Sequence, residues 1–136
     1  MIQVESVSLD DARRMIAAAE KAADEQGQPM CIAVVDAGGI LVAHIRQDRA
    51  WLGSVDIAIN KAFTARAFNL STAALADESQ PGGQFYGIDK SNQGRVLIIP
   101  GGLPVTRNDM VVGAVGVSGG TGEQDNAVVE AAAAAF

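Results

Sequence analysis

Hydrophobic positions along this chain fall first at helical spacing and then at strand spacing, and the changes of period mark out its elements. Leu9, Ala12, Ile16, Ala19 and Ala23 recur on one helical face, with Arg13, Glu20, Lys21 and Asp24 on the other, which predicts an amphipathic helix. Ser8 to Asp11 ahead of it has the form of a capping box with Asp in place of Glu, and Gly27 and Pro29 close the helix. Met30–Val35 and Ile40–Ile45 read as two strands joined by the hairpin turn Asp36-Ala37-Gly38-Gly39. On the second strand, Leu41, Ala43 and Ile45 are expected to face one way, and Val42, His44 and Arg46 the other. Ser54 is expected to cap a helix from Val55 to about Phe68, and Ser71 a short one ending near Glu78. Residues 79–94 show little periodicity; a loop that long is usually functional or an interface. Val96–Ile99 predicts another strand, and Val105 pairs with Met110–Val117 across Arg107-Asn108-Asp109. A last helix runs from about Gln124 to Phe136.

Helix, hairpin, helices, then further strands and a helix is an α+β order, with a mostly antiparallel sheet of about five strands in a single domain spanning residues 1–136. From Ala127 onward only Glu130 is charged, so the last helix is apolar nearly all round and needs cover on more than one side. A second subunit would supply it, giving a homo-oligomer; the alternative is that alanine, a good helix former, simply tolerates exposure.

Composition narrows the class. Hydrophobic residues at 49% against 19% charged exclude disorder. No apolar run approaches the roughly 20 residues that cross a bilayer, and no basic start leads into a signal-like stretch, so a cytoplasmic protein without a membrane partner is expected. A net charge of −6 argues against nucleic acid. Cys31 is the only cysteine, which rules out an intrachain disulfide and any Cys-based zinc cluster; within MCIAVV it reads as buried and inert.

Glycine concentrates between Pro100 and Gly120. Met110–Val117 reads as a buried strand interrupted by Gly113 and Gly116, and the pairs Gly101-Gly102 and Gly119-Gly120 flank the predicted hairpin. Glycine is best explained where the backbone needs positive φ or close approach, so the two pairs are expected to border one concavity, a ligand pocket or a tight subunit contact. This stretch carries a family resemblance. PGG-x-P (100–104), GAVGVSGG (113–120) and Asp125, with AVVDAGG (33–39), Arg46 and Asp48, and IAINKAFTAR (57–66) upstream, resemble the GlcG/HbpS-like family in its own order, over roughly Leu9 to Ala131. The resemblance implies a profilin-like sheet flanked by helices, self-assembly, and association with haem or a corrinoid. It departs from the family's Asp-Gly type turn at Asn108-Asp109, residues that themselves tolerate positive φ.

The residues that would serve a ligand follow from both readings. His44, the only histidine, is either a haem-iron ligand or acid–base group, or a hydrogen-bonded strand residue. Lys61, in an apolar helical stretch and on the family's K-A position, needs a partner or a bound anion if buried, and is otherwise a solvated surface residue. Arg46 either pairs with Asp48 or recognises an anion. Trp51 stacks on a flat ligand or packs in a core or interface. Phe85 and Tyr86 in QPGGQFY are the candidate ligand-covering pair, Tyr86 with a phenolate as a second iron-ligand candidate. Gly101, Gly102, Gly119 and Gly120 form the rim. Asp125 reads as a helix-start cap or dipole partner. No catalytic constellation of a known hydrolase or metalloprotease is present, and no metal site is expected. Three functions remain open: a haem- or corrinoid-binding module, a small enzyme acting on a carboxylate or carbonyl metabolite through Lys61 and Arg46, and a structural oligomer without ligand.

Overall fold

The computed structural model describes all residues from Met1 to Phe136. In chain order the elements are α1 (Leu9–Gln26), β1 (Cys31–Asp36), β2 (Leu41–Arg46), α2 (Gly53–Phe68), α3 (Thr72–Glu78), β3 (Gly102–Arg107), β4 (Met110–Ser118) and α4 (Gly122–Ala134), with short 3-10 turns at Ile88–Lys90 and Asn92–Gly94. The four strands form one antiparallel sheet in the order β2-β1-β4-β3. Helices α1 and α4 pack on one face and α2 on the other. No helix is long and apolar enough to cross a membrane.

Local chemistry explains most boundaries. The Ser8 hydroxyl accepts from the Asp11 N–H while the Asp11 carboxylate accepts from the Ser8 N–H at 2.9 Å, so the capping box forms with Asp. Asn108 and Asp109 both take left-handed φ, 52° and 64°, and close the β3–β4 hairpin without glycine. Ser71 caps α3 as expected.

Four expectations need correction. Val96–Ile99 is not a strand, so the sheet has four strands rather than about five: the Leu97 N–H is taken by the Thr64 hydroxyl of α2 at 2.9 Å instead of by a ladder. Ser54 lies inside the first turn of α2, not at its cap, and its hydroxyl accepts from the buried Ser118 hydroxyl at 3.2 Å. The alternation on β2 breaks at a bulge opposite Val34: Leu41 pairs with Val35 on the α2 face, while Ala43 and Ile45 pair with Val34 and Ile32 on the other. The second cover over α4 comes from α1 of the same chain, whose Ala12, Met15, Ile16 and Ala19 join Val128, Val129 and Ala132 in one core, so the helix needs no partner subunit to be covered.

The α2 interface is made of small residues. Ala58, Ala62 and Ala65 meet Cys31, Ala33, Val35 and Ala114, and the cross-strand pair Gly102–Gly116 leaves the sheet bare beneath the helix. A Cβ on Gly116 would run into the Ala58 carbonyl and sit 2.5 Å from the Ala62 nitrogen, and one on Gly102 would sit 2.6 Å from the Lys61 carbonyl. Backbone atoms on both sides block any yielding. Gly116→Ala should therefore lower stability by about 3 kcal/mol or more in urea unfolding, as overpacking against rigid backbone does. Gly53→Ala, at a helical position with nothing within 4 Å, should be neutral or slightly stabilising.

Candidate functional site

Close approach of α2 forces Lys61 into the interior. Its side chain is 1% exposed and reaches past the sheet, where the ammonium donates to the Val117 carbonyl and to Asp125 Oδ2, each at 2.8 Å. Asp125 is not the cap of α4; Thr121 is. Its second oxygen accepts from the Gly120 N–H at 2.9 Å. Burial pulls the Lys61 pKa below its ordinary 10.5, opposed by the hydrogen bond and charge of Asp125.

The glycines do converge here. A Cβ on Gly101 would lie 2.8 Å from Lys61 Nζ, the Gly101 carbonyl accepts from the Val117 N–H at 2.8 Å, and the Gly102 N–H donates to the Thr72 hydroxyl at 2.9 Å. Gly119 abuts Met30, where a Cβ would stand 2.9 Å from its Cα, and its carbonyl accepts from the Gln28 amide. The space they enclose is filled by Lys61 and Asp125. The expected open concavity between Gly101-Gly102 and Gly119-Gly120 is thus absent, and neither of the two cavities in the structure is bordered by these residues. One, of about 600 Å³, lies between the end of α1 and residues Ile45–Asp48; the other, of about 210 Å³, lies by Gln3–Glu5 and the β3–β4 turn. Nor is Lys61 free to bind a substrate anion, which removes one of the two groups, Lys61 and Arg46, on which the carboxylate-enzyme reading was built.

The other sequence-selected residues lie elsewhere. His44 and Arg46 sit together on β2, opposite Ala33 and Cys31, on the face that carries α2. His44 Nε2 is buried and has no hydrogen-bond partner, the only such side-chain nitrogen or oxygen in the structure. Burial holds its pKa below 6.5. Arg46 makes no ion pair with Asp48; the ion pairs are Arg13–Asp10, Arg14–Asp11 and Lys61–Asp125. Trp51 and Leu52, between β2 and α2, are exposed at 63% and 78%. Phe85 and Tyr86 occupy the loop after α3, which is tied back to that helix by the Phe85 N–H on the Glu78 carbonyl at 2.9 Å. Farther along, the Arg95 guanidinium stacks on Phe63 of α2 at 3.6 Å. Two clusters therefore emerge, an ionic one filled by Lys61 and Asp125 and a half-buried one on β2 around the unpartnered His44, with the aromatic loop apart from both.

Residues 7–134 match the family described as haem degrading protein HbpS-like. The chain belongs to the HbpS-like family. It is 43% identical over 134 residues to a 15.0 kDa protein of the dhaT–dhaS intergenic region of Citrobacter freundii, covering 98% of this chain and 94% of that one. It is 36% identical to the corrinoid adenosyltransferase PduO of the same organism, covering 96% of this chain but only 39% of PduO. Among solved structures, the protein ORFY of Klebsiella pneumoniae superposes with a TM-score of 0.97 at 42% identity over 100% of this chain and 94% of that one. A PduOC–haem complex gives 0.92 at 35% identity, covering 96% and 94% of the two chains. This HbpS-like chain thus shares its architecture with ORFY and with the PduOC solved as a haem complex.

Sequence reasoning singled out Lys61 and Asp125 but did not join them, because a separation of 64 residues leaves no local signal. The ion pair is testable by truncation. Lys61→Met leaves a buried carboxylate without its counter-charge and should cost about 3–5 kcal/mol in chemical unfolding. Pairing it with Asp125→Leu should recover much of that loss, since both charges then leave the interior together.

Proposed function

We propose that this chain binds haem, or a corrinoid as the related macrocycle, at the His44–Arg46 cluster on β2. The observation that carries the reading is the orphaned His44 Nε2. A buried polar nitrogen without a partner is costly, and coordination by a metal relieves it. The burial that lowers the His44 pKa also keeps the imidazole neutral at pH 7, the form that ligates iron. Arg46, two residues on and on the same face, stands about 6.6 Å along the strand, within reach of a propionate. Trp51 and Leu52 offer exposed apolar surface for a flat ring.

Bound iron would supply redox chemistry; the chain would supply an imidazole, a guanidinium and an apolar wall. Tyr86, exposed in its loop, is the rival ligand, with Phe85 beside it as a covering ring. Lys61 and Gly101, Gly102, Gly119 and Gly120 serve the site indirectly, by holding β4 and α2 in register. The PduOC–haem complex and the family's description as haem degrading support the choice of macrocycle. We further propose that the protein works as a homo-oligomer in the cytoplasm.

Titrating the purified protein with hemin at pH 7 should give a saturable Soret shift, and His44→Ala should abolish or displace it. No shift at micromolar hemin would overturn the reading, and an unchanged shift in His44→Ala would transfer the ligand role to Tyr86. Because the folded His44 pKa lies below 6.5, ligation should persist as pH falls through 6.5 and fail only below that lowered value.

A further inference from the structure

The two nitrogens of His44 are placed differently. The residue is only half-buried, yet its Nε2 is closed off from solvent without a partner, alone among the side-chain nitrogens and oxygens of the protein. Nδ1 makes no bond to the protein either, so it must lie on the exposed edge of the ring. The imidazole therefore turns its far nitrogen inward. Neither cavity borders on His44, so in this conformation a macrocycle has no seat from which to reach Nε2. Nor does Nδ1 replace it. That nitrogen adjoins the ring carbon that bears Cβ, and a flat macrocycle, several times wider than an imidazole, would collide there with the strand. The nitrogen that a macrocycle needs is the enclosed one.

The sheet leaves the ring somewhere to go. β2 is an edge strand, and α2 packs on β4, β1 and β3 far more than on β2, so the helix does not roof the outer flank of this strand. His44 stands on that flank, opposite Ala33. Turned inward, its ring carbons gain cover while Nε2 forfeits its hydrogen bonds with water; turned outward about χ1, the ring loses cover and Nε2 regains a partner. The two effects oppose each other, and an unpaired buried nitrogen costs enough to bring the two rotamers close in free energy. We infer that His44 is a two-position side chain, enclosed in the unliganded protein and swung outward past the β2 edge to present Nε2 to the metal of a macrocycle, while α2 and the sheet stay in place. The inference rests on the haem or corrinoid reading and deepens it. Affinity then depends on the resting balance of rotamers, because the apparent dissociation constant is the intrinsic one divided by the fraction of chains that hold the outward position.

His44 is the only histidine, so isotope labelling of histidine nitrogen gives a single imidazole spectrum from the unmodified protein. At pH 7, where burial keeps the ring neutral, its proton should sit on the exposed Nδ1, where water accepts it, the reverse of the tautomer that prevails for free histidine. Zinc protoporphyrin, which is diamagnetic and takes one axial ligand, should then shift Nε2 to the signal of a metal-bound nitrogen while Nδ1 keeps its proton. Amide exchange along Ala58–Ala65 of α2 should stay as slow as before. A resting proton on Nε2 in exchange with water would overturn the enclosed position, and ligation through Nδ1 would overturn the swing. Faster exchange along Ala58–Ala65 would assign the opening to α2 instead and overturn the fixed helix. Unchanged ring nitrogens beside a normal Soret shift with hemin would overturn this inference and leave macrocycle binding to another ligand. No Soret shift would overturn the haem reading and the swing with it, while the resting tautomer would still report whether Nε2 is enclosed.

Discussion

The distance between α2 and the sheet is the constraint on which the rest of this structure depends. Gly102 and Gly116 remove the side chains that would hold the helix off, and its backbone settles onto the strands at a separation no Cβ permits. A lysine on that helix then has no route to water. Its ammonium must be met inside, and the Val117 carbonyl and the Asp125 carboxylate meet it. An ion pair of this kind is weak as a source of net stability, because desolvation offsets most of the attraction. Its strength lies in specificity: only one register of α2 against β4 and α4 leaves the charge neutralised.

The same geometry divides the two sides of the molecule by role. On β3 and β4, Thr72 takes the Gly102 N–H and Lys61 the Val117 carbonyl, and Pro104 has no N–H to offer. Around β2 the backbone edge is open, a histidine nitrogen lacks a partner, an arginine has no counter-ion, and Trp51 and Leu52 face solvent. Unsatisfied groups are thus gathered on one strand, and satisfied ones on the opposite side of the sheet.

Much of the fold was legible in the sequence because its signals are local. The Ser8–Asp11 box, the turns at Asp36 and Asn108, and the apolar face of α1 each depend on residues within one or two turns of chain. The missing fifth strand shows where this fails: Val96–Ile99 has strand composition, and only the position of Thr64, 33 residues away, diverts its N–H from a ladder. The bulge on β2 was equally hidden, since nothing in LVAHIR distinguishes a six-residue strand from one with a misplaced step. In the candidate site, the sequence rightly suggested that the glycines and Lys61 belong together. It did not show that the anion facing Lys61 comes from the chain itself, because Asp125 resembles an ordinary first-turn acid of α4.

The separation between those two charges has a consequence for synthesis on the ribosome. A nascent chain that has emerged only as far as β4 already holds every strand of the sheet and the helix that covers one face, yet it lacks the carboxylate that lets Lys61 be buried. Docking α2 at that stage would leave the ammonium with the Val117 carbonyl but no counter-charge in an apolar layer, at a cost of several kcal/mol. The final helix therefore completes the small-residue interface as well as the core, since it brings the carboxylate that neutralises the lysine beneath α2.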